Sequence, residues 1–219
     1  EMRVSDSPSQ QQADVLEKQR RELEASLATA IELLPQQRAD WEASLLAKAD
    51  AGTVRHVIWV DDALDTGGQV SGTWKFVDGG PKPHSGARSR LQEGGGTVQH
   101  YTKNTTRRIE VVAGDVFYAW VHVDTASPAK AVMLQFHVDG DWPHRAVWGN
   151  DAITYGRQSE SWSGYRRMGP LPKLDAWVCL EVDAASVGLK PGDVVSGWAF
   201  TQSGGKGYWD DAGVRTSVA

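Results

Sequence analysis

The chain of 219 residues has one cysteine, Cys179, and therefore no internal disulfide. Within the apolar stretch Trp177–Asp183 that thiol reads as a small strand residue and not as a nucleophile. No run of 18 apolar residues occurs, which excludes a membrane-spanning helix and membrane insertion by that route. Basic residues (23) are outnumbered by acidic ones (28), the net charge is −5, and no Lys/Arg stripe is present, so a nucleic-acid partner is set aside. Gly-x-Ser-x-Gly elbows and Gly-x-x-x-x-Gly-Lys loops are also missing, so the glycine clusters read as turns. The chain opens on Glu1 without a signal-peptide pattern, and is expected to be a segment of a longer protein.

What the chain has is tryptophan (10) and glycine (23) at 40% hydrophobic content, the composition of a turn-rich β domain. Residues 1–52 stand apart as a helical leader. Leu16, Leu23, Leu27, Ile31 and Leu34 fall on one stripe, and Trp41, Leu45 and Ala49 continue it beyond Pro35, which should end or kink the helix. Two helices or one kinked helix are expected there, docked on the β domain, a partner helix or a neighbouring domain. From 53 to 219 about a dozen short strands are separated by Gly, Pro and Asp turns, with no long helix between them. The expected fold is mainly β: a two-sheet antiparallel β-sandwich, with jelly roll as the topology.

The stretch Val116–Gly149 carries the clearest pattern and reads as three consecutive antiparallel strands. Phe117, Ala119, Val121 and Val123 alternate with Tyr118, Trp120 and His122, and Val132, Leu134, Phe136 and Val138 alternate with Met133, Gln135 and His137. After a turn at Asp139–Pro143, His144, Ala146 and Trp148 alternate with Arg145 and Val147. A face of aromatic rings mixed with neutral hydrogen-bonding groups suits a sugar, whose C–H face stacks on rings while its hydroxyls need donors and acceptors. The ligand-binding set expected is Tyr118, Trp120, His122, Gln135, His137, Trp142, His144, Trp148, Trp162, Tyr165 and Arg166. Of these, Trp142 at a turn and Trp162 in a Ser-rich segment of the long loop Asn150–Pro172 are the rings most expected to be exposed. The bland alternative is that such side chains lie under another layer with their polar tips satisfied. Arg145, Arg166 and Arg167 would let an acidic or sulfated glycan be gripped bidentately.

Glu181 and Asp183 share a strand face, as a pair of glycosidase carboxylates can; a solvated outer face explains them more simply, and no catalytic residue is assigned. His122, His137 and His144 could hold zinc or copper only if the strand register brought them together. Asp61 and Asp62 near the start of the β domain, with Asp210 and Asp211 on the last strand, could hold a structural calcium if first and last strands pair.

The blocks VFYAWVHVD, VMLQFHVDGDWPHRAVWG, RRMGPLPKLDAWVCLEVDAASVGLKPGDVVSGWAFTQSGG and YWDDAGV resemble the jelly-roll, lectin-like module of large planctomycete-type c-type cytochrome proteins. The resemblance covers roughly 53–217 and, through LPQQRADWEASL, part of the leader. It implies a periplasmic or cell-surface carbohydrate-binding module fused in its parent to haem domains, which would be its neighbours and partners. No Cys-x-x-Cys-His occurs, so no haem attaches to this segment. The function expected is non-catalytic polysaccharide binding. The alternatives are a structural module docking domains of the parent and, behind it, a glycoside-active enzyme of jelly-roll fold.

Overall fold

The computed structural model describes residues 8–50, 53–64, 67–156 and 164–217. It divides into two units, Glu1–Ala51 and Gly52–Ala219.

In the first unit the leader is one helix, α1 (Pro8–Asp50), with Pro35 inside it. The expected break at Pro35 therefore does not end the element. Proline removes one backbone donor, and the strong helix formers on both sides, Glu, Leu, Ala, Gln and Arg, carry the helix past it. The apolar stripe is open to solvent: Leu16, Leu23, Leu27, Ile31 and Leu34 are 56–70% exposed. Arg20 bonds Glu17 and Glu24 along the neighbouring face. No helix among the described residues is long and apolar enough to cross a membrane.

The second unit is built from strands whose alternation is that of the sequence. β1 (Thr53–Val60), β3 (Lys75–Val77), β4 (Ser89–Glu93), β7 (Asp115–Val123), β11 (Trp177–Asp183) and β14 (Lys206–Ser217) form sheet I, in the order β11-β7-β14-β4-β3, with β1 also on β14. β14 is long enough to pair β4 through Lys206–Trp209 and β1 through Ala212–Ser217 while β7 runs along its other edge. β2 (Gln69–Ser71), β5 (Thr97–Lys103), β8 (Ala131–Val138), β9 (Asp141–Gly149), β10 (Tyr165–Gly169) and β13 (Gly197–Ser203) form sheet II, in the order β10-β9-β8-β13-β5-β2. β6 (Ile109–Glu110) and β12 (Val194–Val195) make a short ribbon. Among these strands pairing is antiparallel except between β10 and β9, which run parallel. The sheets pack as a β-sandwich.

The three central strands do not lie in one sheet. β7 pairs β11 and β14, whereas β8 pairs β9 and β13. The segment 124–130 is long enough to cross the roughly 10 Å between packed sheets, and the same alternation fits either arrangement. The two apolar faces meet across the sandwich. Phe117 lies 4.6 Å from Phe136 and 5.6 Å from Trp198, ring centre to ring centre. The polar faces of β7 and β8 consequently point to opposite sides of the molecule.

One cation lies within this core. Arg90, 2% exposed, is stacked between Phe200 and Trp74, 4.2 and 4.5 Å from the ring centres, and meets His100 Nδ1 at 3.0 Å. Burial lowers the guanidinium to about 9. Burial and then the Arg90 charge hold His100 at about 4.

Candidate functional site

The outer face of sheet I carries Tyr118, Trp120 and His122 and is covered by its own chain. His84 stacks on Trp120 with ring centres 3.6 Å apart. Trp177 donates to the Lys82 carbonyl at 2.8 Å and packs edge-on against His122. The Tyr118 hydroxyl meets His56 Nε2 at 2.6 Å and donates to Asp211 Oδ1 at 2.9 Å; burial and the Asp211 charge raise its pKa. These side chains are 2–8% exposed at Tyr118 and His122. They seat the segment 82–88 and present no open platform, so this part of the expected binding set is reassigned to packing.

Three acids anchor the same segment. Asp210 Oδ2 accepts the backbone N–H groups of His84 and Ser85, and Asp62 accepts those of Ala87 and Arg88. Ser85 Oγ also donates to Asp61 Oδ2, so Ser85 bridges the two carboxylates. Asp61 Oδ1 is buried without a donor. Burial, with Asp61 alongside, raises Asp210 to about 7. A proton between the two carboxylates accounts for both observations. β1 does pair β14, but among the described residues no three His, Cys, Asp or Glu side chains come together as a metal set. The expected calcium ligands act as hydrogen-bond acceptors, Asp62 and Asp210 for backbone N–H groups, Asp61 for the Ser85 hydroxyl and Asp211 for Tyr118. His122 in sheet I likewise stands apart from His137 and His144 in sheet II.

Two more expected contacts belong to the interior. Trp148 is 9% exposed and lies in the main core, because it faces Val132 across the ladder on the inward side of sheet II. His144 pairs with Phe136 on that side and meets the Val187 carbonyl through Nδ1 at 2.7 Å. Arg166 is exposed but sits opposite Ala146, on the other side of β10 from Tyr165. Trp162 lies outside the described residues. Glu181 is ion-paired with Arg215, and Asp183 caps the 3-10 turn Ala184–Val187 by accepting the Ala185 N–H at 2.8 Å. The half-buried Cys179 thiol is pushed up by burial, which suits packing and not nucleophilic attack.

The outer face of sheet II brings together the rest. One register row crosses five strands, from Tyr101 (β5) through Ala199 (β13), Gln135 (β8) and Arg145 (β9) to Tyr165 (β10). Trp142 is not at a turn tip. The hairpin closes in two residues, Asp139 (φ 51°) and Gly140 (φ 87°), which leaves Trp142 within β9. Its ring meets Tyr101 edge-on at 5.4 Å and His137 at 5.0 Å. Thr201 Oγ1 accepts from Gln99 Nε2 (3.2 Å) and Gln135 Nε2 (2.9 Å), and Gln135 Oε1 accepts from Arg145 Nε (2.9 Å). His137 bonds Ser196 Oγ at 2.9 Å, and burial lowers its pKa. Two half-exposed rings and one part-exposed guanidinium thus share a side of the sheet above the buried Gln135 and Thr201, while Ala131, Met133 and Val147 further along the same face are buried with Ile153 in a second apolar cluster on which Tyr165 packs. Gln99, Tyr101 and Thr201 were not expected; only the register of β5 on β13 and of β13 on β8 places them there.

No family model matches the chain, and no curated protein matches it. Solved structures do resemble it. A family 61 carbohydrate-binding module in complex with β-1,4-galactotriose is 14% identical over 70% of this chain and 90% of that chain, with a TM-score of 0.39. The C-terminal family 22 carbohydrate-binding module of Clostridium thermocellum Xyn10B is 14% identical over 76% of this chain and 96% of that chain, with a TM-score of 0.38. The glycoside hydrolase domain of Endo-D from Streptococcus pneumoniae R6 is 13% identical over 69% of this chain and 20% of that chain, with a TM-score of 0.37. At these identities and TM-scores no residue of this chain inherits a role from them.

Proposed function

We propose that the β unit is a non-catalytic carbohydrate-binding module that holds a polysaccharide on the outer face of sheet II. The observation that carries this reading is the placement of Tyr101 and Trp142, rings in edge-on contact and part exposed, beside the part-buried Gln99 and Arg145 on the portion of the face beyond the Ala131–Met133–Val147–Ile153 cluster. Rings offer the stacking surface a pyranose needs, and the part-exposed Gln99 amide and Arg145 guanidinium supply hydrogen-bonding groups beside them for its hydroxyls. The acidic or sulfated character expected of the ligand rests on Arg145 of that face, since Arg166 points elsewhere. The parent in which the module works is proposed to be a periplasmic or cell-surface protein with haem domains, as the resemblance implies.

Affinity electrophoresis through gels containing neutral and acidic polysaccharides tests the reading. Retardation by at least one glycan is expected, lost in Trp142→Ala and Tyr101→Ala and kept in Trp120→Ala. Unretarded migration in every gel would refute it. That result would favour the docking module, which has one observation on its side: the five apolar residues of the α1 stripe left 56–70% exposed.

A further inference from the structure

We propose that the outer face of sheet II selects glycans that carry ring carboxylates, that is, uronic-acid polysaccharides, with Arg145 as the selectivity residue and Gln135 and Thr201 as its positioning residues. This deepens the polysaccharide reading of the same face and rests on it.

The hydrogen bonds fix the guanidinium by a chain of necessity. Gln135 is 2% and Thr201 0% exposed, so their groups must find partners inside the protein. Thr201 Oγ1 receives the amide nitrogen of Gln135, which turns Gln135 Oε1 toward β9. The opposite amide orientation would set N–H against N–H at Arg145. Oε1 therefore takes Arg145 Nε at 2.9 Å. Arg145 has five donor hydrogens in a planar fork. With Nε engaged, Nη1 and Nη2 have no hydrogen-bond partner among the described residues and form the free end of the fork.

Two further features hold that end in place. Gly156 has φ +71°, and a Cβ there would lie 2.6 Å from Arg145 Nη1, so the backbone packs against the guanidinium at a position only glycine fits comfortably. Tyr165 is the register partner of Arg145 on β10, about one strand spacing of 4.8 Å away. A ring beside a cation matches a uronic acid, whose carboxylate is attached directly to the pyranose and so lies next to the C–H face that stacks.

The charge around the fork agrees. The outward positions of β5, β13, β8 and β10 and the body of β9 hold Lys103, Arg145 and Arg167 and no acid; Arg167 is ion-paired with Asp151, and Asp141 stands at the hairpin end. Burial lowers the Arg145 pKa, with Asp141 and Tyr165 acting the other way. A partly desolvated guanidinium with two free parallel donors gains most from a planar anion that accepts both. The carboxylate is planar, whereas a sulfate ester is tetrahedral and set off from the ring by an oxygen.

The test uses the whole chain and one polymer in two forms: polygalacturonate and the same polymer after carboxyl reduction, with dextran sulfate as a third arm, by titration calorimetry at fixed salt. Polygalacturonate is expected to bind about tenfold more tightly than its reduced form, the range for a hydrogen bond to a charged group. Arg145→Gln should bring that ratio to about one by weakening polygalacturonate far more than the reduced polymer. Gln135→Glu should do the same, because its carboxylate would take the place of the ligand's at Arg145; a role limited to structure would weaken both polymers alike. Equal binding of the two forms by the native chain, or tighter binding of dextran sulfate, would overturn the proposal while leaving the polysaccharide reading standing. Failure of every polymer, with neutral glycans failing too, would overturn both.

Discussion

The Asp61–Asp210 pair makes the stability of the β unit depend on pH in a direction opposite to that of an ion-paired carboxylate. Asp210 ionises near 3.8 in the unfolded chain and near 7 in the fold, mainly because it is buried, with Asp61 beside it. Between those values the folded state keeps a proton that the unfolded state has released. Stability is therefore fully present below about 4, falls as pH rises toward 7, and is flat above. At about 1.4 kcal/mol per pKa unit the shift corresponds to about 4 kcal/mol for a dry site. Asp61 is only half-buried and three backbone N–H groups already bond Asp210, so about 2 kcal/mol is the expected size. Asp210→Asn removes the titration and puts an amide donor within reach of Asp61 Oδ1. Urea unfolding followed by tryptophan fluorescence at pH 5 and pH 8 reads the effect. The variant should be about 1 kcal/mol less stable than the native chain at pH 5, where one backbone donor loses its acceptor, and more stable at pH 8. Parallel pH profiles for the two proteins would refute the shared proton.

Three other perturbations report on separate parts of the molecule. Trp148→Ala should cost about 3 kcal/mol as a core truncation, seen as a lower urea midpoint; unchanged stability with lost glycan binding would return Trp148 to the ligand face. His100, held at about 4 by burial and by Arg90, should stay neutral in an NMR titration down to pH 5, so its contribution to stability is lost only as pH falls from 6.5 toward 4; a midpoint near the ordinary value would mean the core admits water. Gly156→Ala should lower stability by about 1 kcal/mol through its positive φ and reduce the preference for polygalacturonate, since the new methyl meets Arg145 Nη1; an unchanged preference would show that the guanidinium end is free to move aside.

Strand alternation was legible wherever a single face is buried, as in Trp177–Asp183, where the strand has the bounds that the pattern suggests. It fails where the chain changes sheets. Gln69–Ser71 is β2 in sheet II and Lys75–Val77, four residues on, is β3 in sheet I, with Gly72 (φ 88°) making the corner and Trp74 donating to the Ser71 carbonyl across it. The same blindness placed Tyr118, Trp120 and His122 with Gln135 and His137, since period-2 alternation states which residues share a face of one strand and says nothing about which sheet the strand joins. Trp148 was misplaced for a related reason. In a two-sheet sandwich the inward face tolerates a large ring as readily as the outward one, and only the Val132–Trp148 register decides.

Ring count alone would choose the wrong side of this molecule. Sheet I carries Tyr118, Trp120, Trp177 and Tyr208 on its outer face, more aromatic surface than Tyr101, Trp142 and Tyr165 supply on sheet II. But His84 occupies the face of Trp120, the Trp177 N–H is bonded to Lys82, and Tyr118 is engaged by both His56 and Asp211. A ligand there would have to replace contacts the chain already makes to itself, and the carboxylates holding the segment 84–88 would lose their backbone donors as it left. On sheet II Gln99 and Gln135 donate to Thr201, while Nη1 and Nη2 of Arg145 have no hydrogen-bond partner among the described residues. A ligand anion at Arg145 adds bonds without displacing a hydrogen bond that the described residues make to Nη1 or Nη2, and that difference, more than aromatic content, marks the side on which a glycan gains free energy by arriving.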